Sequence, residues 1–197
     1  MFEEHSGLDM QRLRRQTEAD HLAVENALPL MQEGLEAAQY VECLRRMYGI
    51  VAAWDERAIT IAPDWLRDIL VARQRKHLLQ LDLAWFGVTE LDDQRPMLPD
   101  MNDLPSLMGI MYVMEGSTLG GQLIARHIEV SLHLSPGQGD SYFRGHGDRT
   151  GTMWKEFCLM LKTRVSDDQT DAVVSAAKTM FTIFGQWMRG EILHGCS

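Results

Sequence analysis

The sequence predicts an all-α protein built as a single-domain helical bundle. Three observations carry that expectation. Apolar residues recur at spacings of three and four along most of the chain, no stretch alternates with a period of two between hairpin turns, and prolines and capping residues fall where helices should start and stop. At 197 residues and 45% hydrophobic content the chain can bury one sizeable core, so residues 1–197 are expected to form one domain, with its core between about 8 and 192.

The elements follow in order. A first helix is expected over Leu8 to Leu28, stopped by Pro29, and a second from Ala37 to Ile61. Pro63 suits the first turn of a third helix running to Phe86. The polar, proline-containing stretch from Gly87 to Asn102 is expected to be a loop, with Asp103 and Pro105 opening a fourth helix that ends near Leu134. The stretch SPGQGDSYFRGHGDRTG carries five glycines and a proline, which predicts a flexible connection able to act as a cover. A shorter helix from Thr152 to Arg164 follows. Ser166 with Gln169 gives a capping box for a last helix reaching Ile192, and Gly190, Gly195 and the final HGCS read as a frayed tail.

Composition narrows the function. A formal charge of −9 argues against general nucleic-acid binding, which draws its affinity from Lys and Arg on phosphates. No apolar run is long enough to span a membrane and no secretory signal opens the chain, so the expectation is a cytoplasmic protein with no membrane partner. Cys43, Cys158 and Cys196 lack metal spacing and read as reduced thiols. The basic clusters Arg12, Arg14, Arg15 and Arg73, Arg75, Lys76 read as solvated faces. Thirteen methionines suit either an adaptable core or a malleable apolar pocket.

The fourth helix contains the sharpest feature, YVMEGSTLGGQLI, with Gly116, Gly120 and Gly121 at interior positions. Each interior glycine costs a helix roughly 0.5–1 kcal/mol relative to alanine, so something must approach that backbone closely. On helical spacing these glycines and Ser117 form a smooth patch against which either a second helix or a flat ligand could lie. Glu115, rotated about 100° from Gly116, is expected to face away from that patch. On the first helix, Leu13, Thr17, His21, Val24 and Leu28 share one stripe, which predicts a buried His21. Such a histidine is either a hydrogen-bonded core residue or a metal ligand. Glu25 one turn on could hold its Nδ1 proton and leave Nε2 free, and Arg14 lies two turns back on nearly the same face. His77, His127, His133 and His146 lack such partners and read as surface or loop residues.

The pattern Arg14-x6-His21-x3-Glu25, followed 94 residues after the histidine by Glu115-Gly116-Ser117-Thr118-Leu119-Gly120-Gly121, resembles the heme oxygenase family, most closely its bacterial, bacteriophytochrome-associated branch. The resemblance implies a bundle that holds heme between the N-terminal helix and a kinked, glycine-rich distal helix. It assigns iron ligation to His21, the distal catalytic wall to Gly116, Ser117, Gly120 and Gly121, and heme contact to Phe181 in the segment AKTMF. Heme b is then both cofactor and substrate, cleaved with O2 and reducing equivalents to biliverdin, carbon monoxide and ferrous iron. Ser117 stands where animal enzymes carry a distal aspartate, so proton delivery is expected through water and backbone, with Ser117 donating hydrogen bonds. An arginine that pairs with a propionate in animal enzymes is replaced by an apolar residue, aligned as Leu159, leaving Arg14 and Tyr112 as propionate anchors. A basic residue seven before the histidine implies cleavage at the α position. The resemblance also implies an electron donor, ferredoxin or a flavoprotein reductase, docking at the Arg12 to Arg15 cluster, and a bacteriophytochrome as biliverdin acceptor. A heme carrier of the same fold, and a bundle that binds no heme, are the rival expectations.

Overall fold

The computed structural model describes residues 7–91 and 93–191. The described residues form nine α-helices: α1 (Met10–Ala27), α2 (Ala37–Ile61), α3 (Asp64–Val71), α4 (Lys76–Trp85), α5 (Leu104–Gly116), α6 (Gly121–Ser131), α7 (Ser141–Arg144), α8 (Thr150–Arg164) and α9 (Thr170–Arg189), with short 3-10 turns at Pro29–Met31, Gly147–Arg149 and Asp167–Gln169. The only β contact among them is an isolated bridge between Gly7 and Ser166. No helix is long and apolar enough to cross a membrane among the described residues.

The helix starts follow ordinary capping chemistry. Asp9 accepts from the backbone N–H groups of Gln11 and Arg12 and opens α1. Asp103 does the same for α5 through Ser106 N–H at 2.8 Å, and the Ser166–Gln169 box forms as the spacing predicts, on the turn leading into α9. Gly190 is not a tail residue: at φ 73° it is the left-handed cap that ends α9, so the last helix stops at Arg189, short of Ile192. Ile192, Gly195, Cys196 and the rest of HGCS lie outside the described residues.

The expected third helix is two. Its continuity breaks between Val71 and Lys76 because Arg73 and Arg75 turn inward instead of facing solvent, being only 8% and 4% exposed. Asp55 on α2 accepts from the backbone N–H groups of Arg75 and Lys76, both at 2.9 Å, and caps α4 from inside the protein. Arg73 pairs with the buried carboxylate of Glu115 and donates to Met153 O at 3.1 Å. Lys76 reaches a surface partner, Glu56 at 2.9 Å, and Arg73 also touches the exposed Glu156 at 3.4 Å. The basic cluster is therefore internal scaffolding, which contradicts its reading as a solvated face. Glu115 faces away from the glycine patch as expected, into this pair.

The connection after α6 is also more structured than its glycine content predicts. Asp82 on α4, fully buried, accepts from Ser141 and Tyr142 N–H at 2.8 Å each and so nucleates α7, while Tyr40 donates to Gly139 O at 2.8 Å. Tyr142 and Phe143 are buried there. His146 is drawn in with them: its Nε2 is buried without a hydrogen-bond partner, which corrects its assignment as a simple loop histidine. Burial, followed by the positive charges of Arg75 and Arg73, pushes its imidazole down to about 4. A histidine with a depressed folded pKa binds fewer protons folded than unfolded, so stability is expected to fall as pH drops from the unfolded value near 6.5 toward 4. Chemical denaturation of the wild type and His146→Gln across that window checks this, the variant showing the shallower fall.

At the centre, α9 packs against α5 and α1. The α5–α9 crossing is closed at Gly109, where a Cβ would lie 2.4 Å from Val173 O and 2.9 Å from Ala176 Cβ. Small residues do make a helix crossing in this protein, but about two turns before Gly116.

Candidate functional site

The single glycine-bearing helix expected up to Leu134 is broken at its glycines. α5 ends at Gly116, residues 117–120 form a tight turn, and α6 starts at Gly121. The turn is held by Thr118 N–H to Glu115 O, Leu119 N–H to Gly116 O and Gly121 N–H to Thr118 O, bonds of 3.1 to 3.2 Å closed over three residues rather than four. The expected kink is thus a one-turn interruption.

The three glycines have different jobs. A Cβ at Gly120 would meet nothing within 4 Å, and one at Gly116 would touch only the Trp154 ring at 3.8 Å. Both line a cavity. A Cβ at Gly121, by contrast, would sit 2.3 Å from Phe143 O, so this glycine exists to let α6 pass the backbone of α7. Gly121 is consequently a packing residue and not part of the cavity wall, a correction to its grouping with the catalytic glycines. Gly121→Ala is expected to destabilise the fold by about 1–3 kcal/mol, the usual cost of overpacking, as read by denaturant midpoint.

The cavity consists of two adjoining chambers of about 360 and 200 Å3 that share His21, Val113, Gly116, Leu119 and Phe181 in their walls. The two together lie within the range of about 300–1,000 Å3 usual for small-molecule sites. Arg14, Thr17, Tyr112 and Trp154 line the larger chamber, and Glu25, Ser117, Gly120, Tyr142 and Phe143 the smaller. All the site residues named from the sequence except Gly121 therefore reach one cavity.

His21 projects from α1 into both chambers, and its side chain is 50% exposed. The expected burial fails because its stripe of α1 faces this cavity instead of a packed neighbour; only Leu13 and Thr17, nearer the N-terminus, are fully covered. The imidazole stands edge-on to the Phe181 ring, with centroids 5.7 Å apart and planes at 76°. Glu25 lies beside it as the spacing predicts. Its Oε1 is 3.7 Å from Nε2, not from Nδ1, a separation longer than a hydrogen bond.

Ser117 is committed to the protein. Its hydroxyl donates to Met114 O at 2.7 Å, and Arg75 Nη2, which also donates to Met114 O at 2.7 Å, donates to Ser117 Oγ at 3.1 Å. Holding those bonds, Ser117 can accept a further hydrogen bond but cannot donate one, which reverses the role expected of it. Leu159, 64% exposed, lies away from the cavity in a groove beside Trp65 and Arg164; α8 offers Trp154 to the cavity instead.

The cavity is lined by an accessible imidazole, by two glycines that leave its wall without side chains at their positions, by apolar residues and, in its larger chamber, by Arg14 and Tyr112. Its chemistry suits a flat, apolar ligand with a metal centre and an anionic rim. A sequence profile described as heme oxygenase matches residues 9–190, nearly the whole chain. The chain belongs to the heme oxygenase family. The heme oxygenase of Xanthomonas campestris pv. campestris (strain 8004) is 28% identical over 169 residues, covering 82% of this chain and 96% of that protein. The heme oxygenase structure from Leptospira interrogans superposes with a TM-score of 0.73 at 20% identity, covering 91% of this chain and 98% of that one. The NO- and CO-bound heme oxygenase from Neisseria meningitidis gives 0.72 at 21% identity, covering 91% and 89%. These structures share the all-helical heme oxygenase fold.

Several wall residues carried no flag in the sequence. Val113 could have been found, since Val113, Gly116 and Gly120 are spaced three and four apart, as could Phe184, three after Phe181. Tyr142 and Phe143 could not, because they come from the glycine-rich connection that Asp82 orders through tertiary contact.

Proposed function

We propose that this heme oxygenase binds heme b as substrate and cofactor in the two-chambered slot and cleaves it to biliverdin IXα, carbon monoxide and ferrous iron, in the cytoplasm, with electrons from ferredoxin or a flavoprotein reductase. The observation that carries the reading is the pairing, across one cavity, of the His21 imidazole with the Cβ-free wall of Gly116 and Gly120. Heme supplies the iron that activates O2 and the ring carbon that is oxidised.

The chain's own residues bind, orient and exclude. His21 would offer a ring nitrogen to the iron, and Glu25 beside it would bias the tautomer by holding the other ring nitrogen, directly or through water. Phe181 packs edge-on against His21 and restricts its rotation. Arg14 and Tyr112 line the larger chamber, where they would hold the ring carboxylates and so set how the ring is turned in its plane. Burial pushes the Tyr112 phenol up, keeping it a neutral hydrogen-bond donor to a carboxylate. Gly116 and Gly120 leave space in the cavity wall where the ring and its small ligand would lie, and apolar neighbours such as Leu119 and Phe143 would keep bulk water out of it. Arg14 and Arg15 remain exposed on α1, whereas Arg12 is engaged by Asp171, so the first two form the surface for an acidic electron donor. A bacteriophytochrome that accepts the biliverdin fits this scheme as a downstream partner.

The test is turnover. The protein loaded with hemin is given a reductant and air, and the product is separated by chromatography. The α isomer of biliverdin with stoichiometric carbon monoxide is expected. A heme complex that survives reduction and oxygen unchanged makes the protein a heme carrier and overturns the catalytic reading, while a different isomer overturns only the orientation by Arg14 and Tyr112.

A further inference from the structure

Tyr142 is buried at 3% exposure, and its hydroxyl oxygen has no hydrogen-bond partner. Buried phenols are rarely left so, because an unpaired polar group forgoes its hydration without compensation. The residue is nevertheless held firmly. Asp82 fixes its backbone N–H at 2.8 Å, Arg75 lies over its ring at 5.0 Å, and Phe143 packs edge-on at 5.3 Å. Its side chain lines the smaller chamber with Ser117 and Gly120, and its hydroxyl is beside Ser117, outside good hydrogen-bonding geometry. Among the residues that line that chamber, Ser117 and Tyr142 are the two that carry hydroxyls. Ser117 has already given its hydrogen to Met114 O, so the one hydroxyl hydrogen still available at the broken helix belongs to Tyr142.

We propose that Tyr142 is the hydrogen-bond donor of the glycine side of the slot, its hydroxyl bonding to a small ligand or water held there while Ser117, pinned by Arg75, accepts from that water. The inference rests on heme binding in this slot. Burial raises the phenol above its ordinary value, which keeps the proton on the oxygen. The role explains why a tyrosine is kept with its hydroxyl unpaired in the described protein: the partner arrives with the substrate.

Tyr142→Phe keeps the ring, the contact with Arg75 and the packing on Phe143, and removes only the oxygen. Two measurements decide the matter, fluoride titration of the ferric hemin complex and thermal unfolding of the heme-free protein. The variant is expected to bind hemin like the wild type and to bind fluoride about 5- to 10-fold more weakly, the loss of one hydrogen bond. Its heme-free form is expected to unfold no earlier than the wild type, since the lost hydroxyl had no partner. Unchanged fluoride affinity overturns the proposal, as does an earlier unfolding with fluoride binding intact, which would make the hydroxyl structural. A wild-type protein that takes up no hemin overturns the heme reading itself.

Discussion

His21→Ala is expected to lower the rate of heme degradation by more than about 100-fold, beyond the 10- to 100-fold typical of losing a residue that merely supports a ligand. The substitution should leave the fold intact. His21 is half exposed and lies on the part of α1 that faces the cavity, while the anchoring of α1 comes from Leu13, Thr17 and the Asp9 cap. The ferric spectrum should lose its imidazole-ligated form, and exogenous imidazole should restore part of it by occupying the vacated space. Absorption titration with hemin and single-turnover kinetics give both readouts. An unchanged spectrum and affinity would falsify ligation by His21.

The second large effect separates stability from activity at one position. Gly120 has φ −78° and ψ −14°, a conformation open to any residue, and a Cβ there meets nothing within 4 Å. Gly120→Ala should therefore stabilise the heme-free protein by about 0.4–1 kcal/mol, by reducing the freedom of the unfolded chain. Gly120→Leu should fold as well and yet lose on the order of 100-fold in turnover, because its side chain fills the space where the substrate face must lie and small misplacements are costly there. Denaturant midpoints and turnover on the same samples check the pair. Loss of stability in Gly120→Ala would mean that this glycine, like Gly121 against Phe143, is a packing requirement. The opposite signs expected at two adjacent glycines test whether the broken helix is shaped for a ligand or for a neighbouring helix.

The helical class and the shared face of Arg14, His21 and Glu25 on the first helix were legible because they depend on periodicity, and periodicity survives folding, whereas Tyr112 and the pairing of His21 with Gly116 came from the resemblance to heme oxygenases. The capping box at Ser166 and the cap at Asp103 were legible for the same local reason. What the sequence hid were tertiary decisions. Arg73 and Arg75 look like surface charges until Glu115, Asp55 and backbone carbonyls are brought to meet them. Residues 140–144 look like a loose connection until Asp82, 59 residues before Ser141, caps them. Gly116, Gly120 and Gly121 look equivalent until one is found against a carbonyl and the other two against open space. Ser117 looks like a donor until its hydrogen is traced to Met114 O. The arginine and loop reversals arise from a polar group finding its partner on a distant segment, the glycine reversal from the close approach of α7, and the Ser117 reversal from a carbonyl one turn back.

The family relation fixes what is degraded, and the arrangement of this chain's residues around it is the central claim. Crystals of the ferric hemin complex, with the iron located by its anomalous scattering, test that claim most directly. The iron is predicted within bonding distance of a His21 ring nitrogen, with Gly116 and Gly120 facing the opposite side of the ring and Arg14 and Tyr112 at its carboxylate edge. Iron bound by any other residue, or a ring lying outside the slot in the groove beside Trp65 and Arg164, would contradict it.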